Sequence, residues 1–369
     1  MKILQLTSHY YPNLGGVETH LQDLIRELIK MKHQVFVLTY RPLSTNSPWS
    51  IWETSQFLKV FRIPWFPGLF NKLSPYPVLE FLYLAPGLFI ALPLLLIISR
   101  PQVIHSHGLV AAFAGVIWGR LFGIRVIVST HSIYHFPSSG LYRWLARVIF
   151  ESADYNLCLS NQSASELIKQ GVSPQKVGRF TYWVDLDKFS PKDKLLSKKA
   201  LGWSGQFVVL FVGRLVSEKG IPELLKAAKK FKSGINLKIA GSGPLEDQVK
   251  KFYIGRISQD MLSLYYSAAD LTIVPSTHEE GFGRVIIESL ACGTPVIAAN
   301  RGAIPEAMDN TVGKLIDITP KNIIDTINHF LLHQDRLTSL SKKARTFAVS
   351  NYSNNNAGQI ISAYGFPTG

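Results

Sequence analysis

Short β-rich runs alternate with helical patterns in two stretches of the chain, and this alternation limits the fold more than any other feature of the sequence. It is typical of parallel sheets that helices cover on both faces. In the first stretch, strands are predicted at 2–6, 34–39, 103–107, 125–130 and 155–159, with helices at 17–31 and 161–170. Residues 190–206 are predicted to be a linker, and further strands are predicted at 207–212, 236–240, 271–274 and 296–299.

We therefore predict an α/β protein of two Rossmann-like, doubly wound domains that face a central cleft. The first domain is expected to span 1–190 and the second 191–350. Open parallel sheets bind their ligands beyond the carboxyl ends of the strands. Functional side chains are therefore expected in the loops that follow the strands.

The net charge of +14 is shared equally between the two halves, with +7 in 1–190 and +7 in the remainder. A diffuse positive field suits an anionic membrane surface as well as nucleic acid. No helix-turn-helix, zinc finger or aromatic-rich RNA motif accompanies the charge. The sequence therefore favours a membrane surface over nucleic acid as a partner.

An apolar segment at 78–98 is close to the length that spans a bilayer, and no charged residue lies between Phe81 and Ser99. Pro86 and Pro93 interrupt it, and a spanning helix would separate strands that one sheet needs on both sides. We expect a proline-broken segment that packs partly on the domain and partly enters a membrane interface. An ordinary buried helix and a spanning helix are the alternatives.

A glycine-rich turn, Glu280-Gly281-Phe282-Gly283, lies between a predicted strand and an apolar helix that carries Glu288. The backbone N–H groups at the start of a helix form an anion site. One carboxylate can hold sugar hydroxyls and the other ribose hydroxyls while the amides face phosphate. The pattern predicts a site for a nucleoside diphosphate sugar, and the alternative is a surface carboxylate and a helix-face glutamate in an unrelated α/β protein.

Arg214 and Lys219 follow the strand predicted at 207–212 and are five residues apart across a turn. Loss of a sugar from its nucleotide leaves a diphosphate with growing negative charge, and fixed cations stabilise that charge in the transition state. Both side chains can reach one diphosphate. Taken alone, such a pair is usually solvated surface charge.

Together these motifs resemble the retaining glycosyltransferases of family 4, which have the GT-B fold. The Glu280–Glu288 spacing and the following Gly293-Thr294-Pro295 carry most of the resemblance. It implies a retaining, metal-independent hexosyl transfer in which the departing phosphate is the base. It also implies that a C-terminal helix at about 351–369 packs back on the first domain.

The resemblance assigns roles residue by residue. Glu280, Arg214, Lys219 and His131 are the implied catalytic residues, with Glu280 positioning the sugar. Gly15 and Gly16 are implied on the acceptor side. The implied donor-binding residues are Gly16, Gly281, Phe282, Gly283, Glu288, Gly241, Arg256 and Ile257. The implied donor is a UDP- or GDP-linked sugar, with no other cofactor.

His105 and His107 have no carboxylate or cysteine nearby in sequence, so a metal pair there is poorly supported.

The first half resembles lipid-acceptor members of the family, such as the catalytic subunit of phosphatidylinositol N-acetylglucosaminyltransferase. The matching residues are Tyr11-Pro12-Asn13-Leu14-Gly15-Gly16-Val17-Glu18-Thr19-His20, His105-Ser106-His107 and Thr130-His131-Ser132. With the apolar segment and the positive charge, they predict a membrane lipid or lipid-linked glycan as acceptor. The protein is then peripheral on the cytoplasmic face of a membrane. A soluble acceptor, a GT-B UDP-sugar hydrolase or epimerase, and a non-catalytic GT-B scaffold are the alternatives.

Overall fold

The computed structural model describes residues 1–13, 15–43, 45, 47–74, 76–134, 136–137 and 139–365. The chain divides into two compact units, of which the first comprises Met1–Thr181 and Asn355–Gly369 and the second Tyr182–Asn354. Each unit has its own sheet and its own hydrophobic core. The predicted α/β class with two parallel-sheet units is confirmed.

In the first unit, the sheet order is β3-β4-β2-β1-β5-β6-β7-β8, and every neighbouring pair is parallel except β3 with β4. The strands are β1 (Lys2–Thr7), β2 (Gln34–Tyr40), β3 (Trp52–Thr54), β4 (Leu58–Ile63), β5 (Val103–His107), β6 (Arg125–Thr130), β7 (Tyr155–Cys158) and β8 (Val177–Arg179). The helices are α1 (Gly16–Lys30), α2 (Phe70–Leu73), α3 (Pro77–Ser99), α4 (Gly108–Phe122), α5 (Leu141–Ser152) and α6 (Asn161–Lys169). The central strands are buried on both faces, as parallel sheets require.

In the second unit, five parallel strands have the order β10-β9-β11-β12-β13 among the described residues. They are β9 (Phe207–Arg214), β10 (Ile235–Ser242), β11 (Leu271–Val274), β12 (Val296–Ala299) and β13 (Gly313–Ile316). The helices are α7 (Lys194–Ala200), α8 (Ile221–Ala228), α9 (Glu246–Val249), α10 (Leu262–Ala268), α11 (Arg284–Ala291), α12 (Ile304–Ala307), α13 (Pro320–Leu332) and α14 (Gln334–Asn351). The chain then returns to the first unit, where α15 (Ala357–Ala363) ends the described structure apart from two residues. Residues 366–369 of the predicted C-terminal helix lie outside the described residues.

The linker predicted at 190–206 is wrong, because α7 occupies its middle. The Asp193 side chain accepts a hydrogen bond of 2.8 Å from the Leu196 N–H and so caps this helix. Lys198 Nζ lies 2.5 Å from a carboxylate oxygen of Asp270, and that same oxygen accepts the Val208 N–H at 2.8 Å. Pro191, Gly202 and Gly205 lie outside the helix, and they misled the prediction.

The division between the units falls at Thr181, before the boundary predicted at 190. The Arg345 guanidinium of α14 holds the intervening residues by donating to the carbonyls of Phe189 at 2.6 Å and Leu186 at 3.1 Å. The Val184 N–H donates to the Tyr352 carbonyl at 3.1 Å. Residues 182–189 therefore belong to the second unit.

Helix α3 runs unbroken through Pro86 and Pro93, whereas a proline-broken segment was predicted. The Tyr40 hydroxyl enters the helix ladder here, accepting the Leu88 N–H at 3.0 Å and donating to the Leu84 carbonyl. A Cβ on Gly87 would lie only 2.5 Å from this hydroxyl, so glycine is needed for the close approach. The Tyr40 side chain from β2 thus pairs the Leu84 carbonyl and the Leu88 N–H, which lie on either side of Pro86.

One side of α3 packs into the core of the first unit and the other is exposed. It is the one described helix whose length and composition would allow it to cross a membrane, and 44% of its most apolar window is buried in the protein. Its exposed apolar side chains are those of Val78, Leu79, Leu82, Ile90, Leu94, Ile97 and Ile98. We call this set the exposed α3 face.

Candidate functional site

The carboxyl edge of the second sheet brings two of the predicted loops together. β9 ends at Arg214, whose side chain is exposed, and a 3₁₀ turn at Ser217–Lys219 follows. The loop after β11 lies against this turn, and the Thr277 N–H donates to the Glu218 carbonyl at 2.9 Å. The His278 ring nitrogen Nδ1 also lies 2.9 Å from that carbonyl.

Gly220 makes this contact sterically feasible. Its φ is +73°, and a Cβ there would lie 1.8 Å from the Pro275 carbonyl oxygen. Any side chain would push the turn that carries Lys219 away from the loop after β11. The glycine that follows Lys219 therefore fixes the position of this lysine.

Lys219 and Glu280 form a buried ion pair. Nζ lies 2.7 Å from Oε1, and the side chains are 20% and 10% exposed. The Ser276 hydroxyl donates to the same carboxylate oxygen. Burial raises the pKa of Glu280, but Lys219 and the Ser276 hydroxyl outweigh it and hold this pKa below its ordinary value. Glu280 is therefore an ionised, fixed hydrogen-bond acceptor at neutral pH.

Glu288 lies in α11 and is more deeply buried. Its Oε1 is 3.2 Å from Arg284 Nε, and its Oε2 accepts the Tyr266 hydroxyl at 3.0 Å. Burial and the Glu288 charge raise the pKa of Tyr266 well above its usual value, so the phenol stays a donor. These two partners hold the carboxylate predicted to bind ribose.

The turn between the two carboxylates is supported by an aromatic cluster. The Phe282 side chain is buried, and its ring meets Tyr182 edge-on at 5.8 Å and Tyr352 at 5.7 Å between centroids. Gly281 and Gly283 flank it, and Gly283 is the N-cap residue of α11. The Phe282 side chain thus anchors the turn in the core. Only the backbone of the turn is then left to contact a ligand.

The remaining predicted donor residues meet at the end of β10. The Gly241 N–H donates to the Gly255 carbonyl at 3.1 Å, and the Tyr253 hydroxyl donates to the Gly241 carbonyl at 2.9 Å. Arg256 is exposed and Ile257 half-buried directly after this contact.

In the first unit, α1 begins at Gly16, and Gly15 is its extended N-cap residue. Arg62, which sequence analysis missed, supports the loop before it. This guanidinium is buried, donates to the Tyr11 carbonyl at 2.9 Å and pairs with Glu53 at 2.6 Å. Nothing in the sequence singled it out, because β4 was not predicted and also carries Lys59.

His131 follows β6 and ends a chain of hydrogen bonds between buried side chains. Its Nε2 lies 2.9 Å from His107 Nδ1, and His107 Nε2 lies 2.7 Å from Gln5 Oε1. Gln5 Nε2 donates at 3.3 Å to the hydroxyl of Tyr364, which follows α15. That hydroxyl lies 2.8 Å from His105 Nδ1, and His105 Nε2 lies 2.7 Å from the Ser129 hydroxyl.

This chain assigns the histidine tautomers. Gln5 Oε1 can only accept, so His107 Nε2 carries the proton, and His107 Nδ1 accepts from the N–H at His131 Nε2. Burial lowers the pKa of His131 to about 3, and burial chiefly, with the neighbouring histidines, lowers that of His107 well below its usual value. His131 is therefore neutral at pH 7, with Nδ1 as its acceptor nitrogen. Every ring nitrogen of His105 and His107 lies in a hydrogen bond.

Two protein-family models match the chain. The model described as "Glycosyltransferase Family 4" matches residues 14–188, and the model described as "Glycosyl transferases group 1" matches residues 193–347. Between them they cover most of both units.

Two relatives are similar to this chain in sequence. The phosphatidylinositol N-acetylglucosaminyltransferase GPI3 subunit of Saccharomyces cerevisiae is 25% identical over 84% of this chain and 70% of its own length. The D-inositol 3-phosphate glycosyltransferase 2 of Catenulispora acidiphila is 31% identical over 58% of each chain.

Solved structures share the fold. The sucrose-phosphate synthase of Thermosynechococcus elongatus has a TM-score of 0.82 at 22% identity, covering 98% of each chain. HepE of Anabaena in complex with UDP-glucose has a TM-score of 0.76 at 19% identity, also covering 98% of each. The two family matches and the fold of two parallel-sheet units lead to one conclusion: the chain belongs to the family 4 glycosyltransferases with the GT-B fold.

Proposed function

We propose that this glycosyltransferase transfers a sugar from a nucleoside diphosphate sugar to a hydroxyl group of a membrane lipid or lipid-linked glycan. The Lys219–Glu280 pair, which joins the loops after β9 and β11, is the observation that carries this proposal. It places a cation and an ionised acceptor beside one another at the carboxyl edge of the second sheet, where such folds bind ligands.

The proposed donor is a UDP-linked sugar, with a GDP-linked sugar as the alternative and no further cofactor. HepE, which shares the fold, was solved with UDP-glucose. Gly241, Gly255 and the backbone near Ile257 would meet the base, which backbone groups can bind without a distinctive side-chain motif. Gly281 and Gly283 would let backbone amides approach the phosphates.

The proposed chemistry is metal-independent and retains the anomeric configuration. Arg214 and Lys219 would stabilise the charge of the departing diphosphate, the task that a divalent ion performs in other enzymes. Glu280 would orient the sugar hydroxyls, since its ion pair and low pKa make it a weak nucleophile. The departing phosphate would then take the proton of the incoming acceptor hydroxyl on the same face of the sugar.

The proposed acceptor is lipid-borne, and the proposed location is the cytoplasmic face of a membrane. The name of the yeast relative includes phosphatidylinositol, and that of the bacterial relative an inositol phosphate. The exposed α3 face and the net charge of +14 both suit an anionic bilayer surface. His131 and the loop at Gly15 and Gly16 would face the acceptor.

Thermal unfolding with UDP, GDP and ADP tests the donor site first. A nucleotide at about a hundred times its Kd adds roughly 2.7 kcal/mol to the stability of the protein. Labelled sugar from the matching donor is then offered with lipid extract or with soluble sugars, and NMR gives the anomeric configuration of the product. Label in the lipid phase supports the proposal. Release of free labelled sugar without an acceptor would indicate a hydrolase. If no nucleotide raised the unfolding temperature, the protein would be a non-catalytic scaffold.

A further inference from the structure

A cavity of about 450 Å³ lies at the amino edge of the first sheet, the edge at which its strands begin. Its walls combine three cationic side chains with two amides and an aromatic ring, namely those of Lys2, Lys32, Arg100, Gln34, Gln102 and Phe57. Among the described residues that line it there is no carboxylate. Gly15, Gly16 and His131 lie at the opposite, carboxyl edge of this sheet, so nothing proposed so far uses this cavity.

Three neighbouring strands present polar side chains in one row. β1 lies between β2 and β5 in the sheet, and the register aligns Lys2 with Gln34 on one side and places it beside Gln102 on the other. Aligned residues of parallel strands point to the same face, so the row is about 10 Å wide, which is two strand spacings. The Gln102 side-chain oxygen accepts the Lys2 N–H at 3.2 Å. The NH2 group of this amide is then left to donate to a ligand.

The backbone on both sides of this row is unusual. Lys32 and Arg100 each follow a helix and precede a glutamine of the row by two residues, in Lys32-His33-Gln34 and Arg100-Pro101-Gln102. Their φ angles are +61° and +47°, and in the described part of the chain they are the only non-glycine residues with positive φ. Glycine is the residue that fits such a helix end without strain. Two long cations in this conformation at one cavity indicate a function for both side chains.

The charge of the cavity remains positive when the neighbouring helix ends are included. α1 and α3 end at Lys30 and Ser99, and each C-terminus carries about half a negative charge, so the three cations leave an excess of about two positive charges. Glu27, near the end of α1, is already paired with Lys30 at 2.8 Å. Within the described residues, none of the three lining cations has an ion-pair partner. Their charge is therefore available to an anion.

We propose that this cavity binds a phosphate group with about two negative charges, which the helix ends leave for a ligand to neutralise. Lys2, Lys32 and Arg100 supply the charge, and the side-chain NH2 groups of Gln34 and Gln102 donate hydrogen bonds. A guanidinium can hold two phosphate oxygens at once, whereas lysines contribute compact charges. The site is separate from the proposed reaction site and goes beyond the proposed transfer.

Two sources can supply such a phosphate. One is a soluble phosphate ester or diphosphate. The other is the head group of an anionic lipid, because the exposed α3 face ends at Ile98, two residues before Arg100. The chemistry of recognition is the same for both, so the experiment must distinguish them.

Titration of the ¹⁵N-labelled full chain with pyrophosphate, followed by NMR, tests the site itself. The amide signals of Lys32, Gln34 and Gln102 should shift together along one binding curve. The signals of Lys219 and Gly281 report any binding at the proposed donor site separately in the same titration. If the first set of signals did not move, the proposal would be overturned whatever happened at the donor site.

Lys32→Gly with Arg100→Gly removes both strained cations. Pyrophosphate affinity at this site should fall about twentyfold or more, at about fivefold for each charge removed, the Coulomb scale of one charge pair at about 4 Å in water. The melting temperature should not fall, because glycine adopts positive φ freely. Arg100→Lys keeps the charge and should retain most of the affinity. If the two cations served only to offset the helix dipoles, the glycine variant would bind pyrophosphate as wild type does, and the proposal would fail.

Lys72→Gln with Lys169→Gln is the matched control. It removes the same charge from two exposed positions of the first unit that lie outside the lining. Pyrophosphate affinity should stay at the wild-type value. An equal loss in this variant would assign the binding to net charge and contradict a built site.

Sedimentation with phosphatidylcholine vesicles that contain phosphatidic acid distinguishes the two sources. If the glycine variant binds these vesicles more weakly than the control variant does, a lipid head group occupies the site. If the two variants bind the vesicles equally and differ only with pyrophosphate, the ligand is a soluble phosphate compound. Equal behaviour of the two variants in both assays would refute the site.

Discussion

Lys219 Nζ lies 2.7 Å from Glu280 Oε1, although the two residues lie in loops that follow different strands, β9 and β11. The pair is buried, and the turn at Gly220 fixes its geometry. A cation that already neutralises a carboxylate can exchange part of that interaction for an incoming diphosphate. The proposed donor would then share the Lys219 cation with Glu280, and the Ser276 hydroxyl would continue to hold the carboxylate.

Lys219→Met and Glu280→Gln should each lower kcat about a hundredfold or more, the usual cost of removing one preorganised electrostatic group. Lys219→Met should also destabilise the second unit by about 3 kcal/mol, because it leaves a buried carboxylate without its cation. The double variant should lose less than the sum of the two, since the residues interact. Steady-state kinetics and thermal unfolding measure these effects.

Lys250→Met provides the matched control. Lys250 forms a 2.8 Å ion pair with Asp247, but both side chains are largely exposed. Exposed pairs contribute little to stability. Activity and stability should therefore stay near wild type, and a large loss would show that general charge, not the buried pair, governs the enzyme.

The tautomer of His131 should depend on Gln5, because His107 forms hydrogen bonds with both residues. In wild type, the imidazole ¹⁵N spectrum should show neutral His131 with its proton on Nε2, and it should stay neutral down to about pH 4. Gln5→Leu removes the only acceptor of the His107 Nε2 proton that the chain of hydrogen bonds provides. Mixed tautomers at His107 and His131 should follow, together with a loss of about 1–3 kcal/mol of stability.

His329, in the second unit, is the internal reference for that spectrum. Its signals should be the same in wild type and Gln5→Leu. An unchanged His131 spectrum in the variant would mean that another group sets its tautomer.

Sequence patterns predicted the central strands of both sheets, because buried parallel strands form short runs of valine, isoleucine and leucine that glycine and proline delimit. They missed β3, β4, β8 and β13, which lie at or next to a sheet edge. They also located Glu280 and Lys219, since the loops after strands carry recognisable glycine turns. They missed Arg62 and the bonds of Tyr364 to Gln5 and His105, which join residues far apart in the sequence. They also missed that Tyr40 completes α3, because a helix prediction treats each proline locally.

The position of the second unit's first residue is testable by fragments. A fragment of 182–354 keeps the Leu186 and Phe189 carbonyls that bind Arg345 and the buried Trp183, whereas 191–354 loses all three residues. We expect the longer fragment to unfold cooperatively, and the shorter one to be less stable by about 3 kcal/mol or more, on the scale of a lost large aromatic side chain. Chemical denaturation monitored by circular dichroism measures the difference. Equal stability of the two fragments would place the start of the second unit near residue 190.

The Glu80 carboxyl should make the stability of the protein fall as pH rises. Its pKa is about 6 in the folded chain against an ordinary value of 4.5, and burial is the cause. Between these values the folded state binds more protons than the unfolded state, so the contribution is complete below pH 4.5 and lost as pH passes 6. The step amounts to about 2 kcal/mol.

Unfolding free energies of wild type and Glu80→Gln should diverge by this amount between about pH 4.5 and 7, with the variant more stable at pH 7. Glu246→Gln, at an exposed site, should follow wild type throughout.

The exposed α3 face should account for the salt-resistant part of membrane binding. Leu94 and Ile97 lie one turn apart and are 61% and 59% exposed. Replacing both with glutamine leaves the charge unchanged but removes apolar area worth about 1 kcal/mol or more per side chain in a bilayer interface. Binding to anionic vesicles should weaken roughly tenfold or more, measured by sedimentation at low and high salt.

The control is Leu195→Gln with Leu332→Gln, at two exposed sites of the second unit, which should leave vesicle binding unchanged. Because salt screens the contribution of the positive charge and not that of the apolar contact, the difference between the two double variants should persist at high salt. A difference that vanished there would assign membrane binding to charge alone.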